Sequence, residues 1–168
     1  MAVREVLRYP HPALKASARE LEAGEGERAT RVAADLVETM RSFPRCVGIA
    51  APQIEEPVRM VVVDVSEHPK GEGGSGLLVL VNPRIVASSG AEVAREGCLS
   101  IPELTANVRR ALAVTIEAVS AEREPLVVES EGFEARCLQH ELDHLDGILF
   151  LDRVDSIDHD VFRRKRQA

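Results

Sequence analysis

The sequence predicts a single mixed domain in which helices pack on an antiparallel meander, and three observations carry that expectation. Apolar residues recur at helical spacing between Glu27 and Phe43, short β-branched runs separated by turn signals fill the middle of the chain, and a second helical stripe opens at Gly132. With 168 residues and 45% apolar side chains, the chain suits one real core and is cramped for two. Residues 1–168 are therefore read as one domain, ending in a short basic tail at about 159–168.

In chain order, Arg8–Leu14 is a proline-bracketed turn in an N-terminal arm, where His11 reads as structural because Pro12 discourages helix. The first stripe runs through Ala29, Val32, Ala33, Leu36, Val37, Met40 and Phe43, with charges opposite, and Pro44 ends it. Cys46–Gln53 is small, apolar and almost uncharged. Backbone can be approached closely there, and Gln53 offers an amide that both donates and accepts, so the segment fits a buried turn as well as a binding site.

Val58–Val65 is β-branched enough for a strand buried on both faces. Ser66–Gly76 is a glycine-rich loop without the strand-to-helix context of a phosphate cradle. Leu77–Val81 forms a strand, Asn82-Pro83 a turn, Ile85–Ala87 a brief pairing segment, and Ser88-Ser89-Gly90 a further turn. Ala111–Val119 and Leu126–Glu129 form a hairpin over Glu122–Pro125. The second helical stripe, Phe133, Cys137, Leu138, Leu142 and Leu145, stops at Gly147, and Ile148–Leu151 follows as a short strand or docking segment.

Charge and cysteine usage narrow the function classes. A net charge of −7 and a pI near 5.3 argue against a nucleic-acid footprint spread over the surface. The basic run Arg163-Arg164-Lys165-Arg166 reads as a solvated, frayed tail. Cys46, Cys98 and Cys137 are an odd number, and Met1–Pro10 lacks the apolar core of a secretory signal, so the expectation is a reducing cytoplasm without disulfides. No apolar run approaches the roughly eighteen residues of a membrane span.

The chemistry concentrates in Gln139-His140-Glu141-Leu142-Asp143-His144. On a helix, His140 and His144 project from one face and can grip one metal ion, while Glu141 is placed to exchange protons with water at that ion. A third ligand is needed, and we place it at Cys98 in Glu96-Gly97-Cys98-Leu99-Ser100. Cysteine is ordinarily a small buried hydrophobe. Here Gly97 permits an unusual backbone angle before it, Glu96 follows no solvent-face period, and Pro102 restricts the strand beyond.

Cys46–Gln53, Glu96–Ser100 and Gln139–His144 match, in order and spacing, the three motifs of the peptide deformylases, which the chain closely resembles. The likeness extends to Tyr9-Pro10, Thr39-Met40, Asn82-Pro83, Ile101-Pro102 and Leu145-Asp146-Gly147. It implies an α+β fold in which antiparallel strands surround the histidine-bearing helix, and the strand and helix readings above agree. It implies a metal held by Cys98, His140 and His144, with Fe2+ expected first and Zn2+ or Ni2+ able to substitute, since a thiolate ligand suits all three.

The implied reaction is hydrolysis of the N-formyl group from the initiator methionine of nascent polypeptides, releasing formate. Glu141 would handle the proton, and the Gln53 amide and Leu99 N–H would stabilise the oxyanion. Val47, Gly48, Glu96, Gly97, Phe133 and Cys137 would line the substrate site. Gln139 or Asp143 would orient a histidine, or Asp143 would simply be solvated. The partner is an N-formylmethionyl peptide, with the ribosome as a further one through the basic tail, and neither membrane nor DNA. Cys46 stands where the family usually has glycine. Two rivals are a deformylase-like protein with an altered substrate or a binding-only role, and a metallopeptidase. The latter would draw its third ligand from the few polar residues beyond His144: Asp152, Asp155, Asp158 and His159.

Overall fold

The β-branched run at residues 58–65 becomes the central layer of the molecule. In the computed structural model, which describes residues 2–165, the strands are β1 (Gly48–Ala50), β2 (Met60–Val63), β3 (Leu78–Ser89), β4 (Glu92–Cys98), β5 (Ile101–Arg110), β6 (Ala113–Val119), β7 (Pro125–Glu131) and β8 (Val161–Arg163). They form two antiparallel sheets, ordered β1-β2-β3-β6-β7 and β4-β5-β8. The helices are α1 (Gly26–Arg41), α2 (Gly132–Leu145) and the single turn α3 (Ile157–Asp160).

Strand alternation explains the layering. Val61 and Val63 join the cluster that contains Leu138, Leu142 and Leu145 of α2, while Met60 and Val62 join the one that contains Val32, Leu36 and Met40 of α1. β2 is thus covered on both faces by helices, which is why it carries no polar side chain. A third cluster, with Ile101, Ala106 and Val108 of β5, packs on Leu14, Leu149 and Phe150. The α2 helix ends at Gly147, whose φ of +71° suits glycine and whose Cβ, if present, would lie 2.5 Å from the Lys15 carbonyl oxygen.

Two expectations need correction, and the alternatives left open for Ile148–Leu151 resolve to a docking segment. Asn82-Pro83 is not a turn between strands: β3 runs through it, with an irregularity in pairing between Val81 and Arg84. Asn82 adopts φ of 50° and its amide bonds both the N–H and the carbonyl of Leu21, at 2.9 Å each, so side-chain bonds hold the bulge and Pro83 sits where a ladder donor is not needed. Ile148–Leu151 forms no strand; Phe150–Arg153 is a 3-10 turn whose buried Phe150 docks in the third cluster. The basic tail does not fray from residue 159: Val161–Arg163 pairs with β5. Arg166 lies outside the described residues.

Replacing fully buried Leu138 by alanine is expected to cost about 2–5 kcal/mol. Urea unfolding should show a lower midpoint with an unchanged slope. A midpoint equal to wild type would contradict the packing of α2 on β2.

Candidate metal centre and cleft

Two elements bring the chemistry together. α2 presents His140 and His144 from one face, and Cys98 ends β4 at the tip of the β4–β5 hairpin. The register there slips: Gly97 faces Thr105, yet Cys98 faces Ile101, so β5 passes through Pro102, Glu103 and Leu104 while β4 advances one residue. That irregularity aims Cys98 at the helix. The ligand atoms of Cys98, His140 and His144 lie within 4.8 Å of one another, with Cys98 Sγ 3.4 Å from His144 Nε2, and all three residues are buried.

The donor set fits a metal ion. Bonds of about 2.3 Å to sulfur and 2.0 Å to nitrogen at a tetrahedral angle set these atoms about 3.5 Å apart. Buried Glu141 Oε1 has no hydrogen-bond partner among the described residues, so this carboxylate awaits a group that neither strand nor helix supplies. Burial opposes ionisation of Cys98, but the neighbouring His144 and His140 outweigh it and hold the thiol well below its ordinary range. Burial likewise works against a charged His140, and hydrogen bonds with Cys98 and Glu96 reverse the balance, raising its pKa. Metal binding would take up the thiolate and release the imidazolium proton.

The orientation of His140 comes from a buried charge chain. Its Nδ1 lies 2.9 Å from Glu96 Oε1, which leaves Nε2 for the ion. Glu96 accepts two bonds from Arg110, at 2.9 and 3.0 Å, and one from Arg136 at 2.6 Å. Despite burial, those bonds from His140 and Arg110 hold its carboxyl at about 2. Arg110 continues to Asp143, which also accepts from Arg153. Asp143 therefore orients no histidine directly. Nor does Gln139, whose amide clamps the Ala111 backbone on both its N–H and its carbonyl, at 3.0 and 2.9 Å. Arg110, Arg136 and Arg153 carried no local signal in the sequence, because their partners lie far along the chain.

One cleft gathers Val47, Gly48, Gln53, Glu96, Gly97, Cys98, Leu99, Phe133, Cys137, His140 and Glu141. His144 is sealed behind it. At Gly48 a Cβ would lie 2.8 Å from Glu141 Oε2, so only glycine leaves that carboxylate its place. Burial is the main cause that raises the pKa of Glu141. Gln53 accepts from the Ala50 N–H at 2.9 Å and donates to Ser100 Oγ at 3.0 Å and Cys98 Sγ at 3.6 Å. The Leu99 N–H meets no acceptor among the described residues. Cys46 donates to the Gly48 carbonyl, and burial pushes its thiol up to about 12. His68, unmarked in the sequence reading, also borders the cleft and stacks on Phe133 with ring centroids 4.3 Å apart.

The chain matches the polypeptide deformylase family model over residues 3–160. It is 39% identical to a peptide deformylase of Desulfosudis oleivorans over 168 residues, covering 99% of this chain and 94% of that one. A Rhizobium meliloti peptide deformylase is 40% identical, with 98% and 92% covered. Among solved structures, the Legionella pneumophila peptide deformylase superposes with a TM-score of 0.82 at 38% identity, covering 92% and 87% of the two chains. The Acinetobacter baumannii class I type b enzyme, bound to Met-Ala-Ser, gives 0.84 at 34% identity, covering 91% and 100%.

Arg110→Ala removes one cation from between two buried carboxylates and is expected to destabilise the fold by about 3–5 kcal/mol. Chemical denaturation measures this; a loss near zero would show that the charge chain is not needed to hold β5 against α2.

Proposed function

Since the chain belongs to the polypeptide deformylase family, whose members remove the N-formyl group from nascent polypeptides, we propose that Cys98, His140 and His144 hold its metal and that Glu141 moves the proton. The observation that carries this reading is the convergence of the three ligand atoms beside the unpartnered carboxylate oxygen of Glu141. The bound ion supplies Lewis acidity, bringing the pKa of water towards neutrality and polarising the formyl carbonyl. Glu141 accepts the proton of the attacking water and delivers it to the departing amine. Its burial suits both halves of that task, because a raised pKa lets one carboxyl hold and release a proton.

Charge developing on the formyl oxygen meets the Leu99 N–H and Gln53 Nε2, which exchanges its long contact with Cys98 for this one. Donors of this kind are each worth about 2.7–4 kcal/mol of barrier. Topology suggests how the peptide lies. β1 is an edge of one sheet and β4 an edge of the other, and Val47-Gly48 and Glu96-Gly97 border the same cleft. An extended chain fits between them as an added strand, with Phe133 and Cys137 beside it. The Met-Ala-Ser bound by the Acinetobacter baumannii relative is a peptide of this size and kind.

The thiolate suits Fe2+, with Zn2+ or Ni2+ as substitutes. The whole chain acts as one catalytic domain of the cytoplasm, where nascent chains emerge, and Arg163, Arg164 and Lys165 give it a basic segment to offer the ribosome. No helix among the described residues is long and apolar enough to cross a membrane.

Anaerobically purified protein is expected to release formate from formyl-Met-Ala-Ser in proportion to its iron content. Peptide-bond cleavage without formate would refute the reading. Glu141→Gln should retain metal and lose at least about 100-fold in kcat, whereas Cys98→Ala should lose metal as well; full activity in the first would remove Glu141 from its role. Gly48→Ala should likewise keep the metal and depress kcat, by displacing the Glu141 carboxylate.

A further inference from the structure

The C-terminal segment enters the cleft. β8 pairs with β5 through Leu104 and Arg163, Thr105 and Phe162, and Ala106 and Val161, and the Arg164 N–H donates to the Glu103 carbonyl at 2.8 Å. Side chains alternate along a strand, so Phe162 and Arg164 leave the same face. The Arg95 guanidinium covers the Phe162 ring at 3.9 Å. Arg164 extends past Thr105 to β4, where its Nη2 takes the space that a side chain at position 97 would need. A cation from the end of the chain thus stands one residue before Cys98.

The surrounding charges are one-sided. Arg45, Arg95, Arg163 and Lys165 also border the cleft, against a single exposed carboxylate there, Glu103. Glu96 is engaged by His140, Arg110 and Arg136, and Glu141 is buried. No ion pair among the described residues holds Arg163, Arg164 or Lys165. A chain of net charge −7 therefore gathers at the mouth of its cleft cations that no carboxylate among the described residues pairs, and there they draw anionic ligands.

We propose that Arg164 is a specificity-determining residue that selects peptides with an acidic side chain downstream of the formylmethionine, the other cations of the rim adding long-range attraction. The inference rests on the reading of the cleft as the peptide site. A guanidinium presents a planar fork that matches a carboxylate, and it repels a lysine. An extended peptide advances about 3.3 Å per residue, so a cation beside Gly97 faces its second to fourth residues.

The experiment compares kcat and KM for formyl-Met-Ala-Ser and for versions with Glu or Lys at the second, third or fourth residue, at low and high salt. It uses metal-loaded wild type, Arg164→Ala, Arg164→Lys and Arg164→Glu. Wild type is expected to favour Glu over Lys by about two- to fivefold in kcat/KM at one or more positions, through KM and more weakly at high salt. Arg164→Lys should keep part of the preference, Arg164→Ala should reduce it to the salt-sensitive remainder that the other rim cations supply, and Arg164→Glu should lower it further. The same Glu-to-Lys ratio in all four proteins would overturn the proposal, as would an equal change for every peptide in Arg164→Ala, the mark of a side chain that merely obstructs. If wild type releases no formate even from formyl-Met-Ala-Ser, the reading of the cleft fails and the proposal falls with it. Turnover with a flat ratio removes Arg164 alone.

Discussion

The chain of charges that runs from half-exposed Arg153 into the buried groups Asp143, Arg110, Glu96 and His140 is the constraint on which the centre depends. Each of the four buried groups would cost several kcal/mol to bury charged and alone. Together they satisfy one another, because Arg110 offers its planar fork to Glu96 and its remaining nitrogen to Asp143. The partners come from β4, β5, α2 and the turn that follows, so the pairing is complete only when hairpin and helix have docked in one register. That docking is also what brings Cys98 to the histidines. Electrostatic satisfaction and the convergence of these three residues are therefore one event.

The apolar layers set the stage on which this happens. β2 lies between α1 and α2, and the cluster that it shares with α2 fixes the depth of the helix under the cleft. The polar residues of α2 follow from that position. Nearly all of its side chains are buried, yet it carries Glu134, Arg136, Gln139, His140, Glu141, Asp143 and His144. Such a helix is stable only where every polar group meets a partner. Glu134 finds Ser75 and Ser130, Gln139 finds Ala111, and Arg136 finds Glu96 and backbone carbonyls. Two buried atoms of the helix remain without a partner among the described residues, Glu141 Oε1 and His144 Nδ1, and both belong to the centre.

What was legible in the chain was local. The two helices show in their apolar periods, β2 in its valines, and the metal-capable group in the spacing of His140 and His144 and in the setting of Cys98. What escaped depends on distant partners. Asn82-Pro83 has the chemistry of a turn, and only its bonds to Leu21 keep β3 running through it. Ile148–Leu151 is apolar without a period, so nothing separates a strand from a docking turn until Phe150 finds its pocket. The tail has the composition of a solvated segment, and pairing with β5 together with the stacking of Phe162 under Arg95 overrides it. The arginine partners of Glu96 lie 14 and 40 positions away, beyond any local pattern.

The route of β8 bears on how the protein is handled in the laboratory. The described chain leaves β5 at Lys165, a residue on the border of the cleft. Bulk or charge added close after Lys165 would therefore stand at the rim of the cleft that we propose as the peptide site. At the other end, the Ala2 N–H is bonded to Asp35 on α1. Additions near Ala2 would instead stand beside a helix that lends no side chain to that cleft.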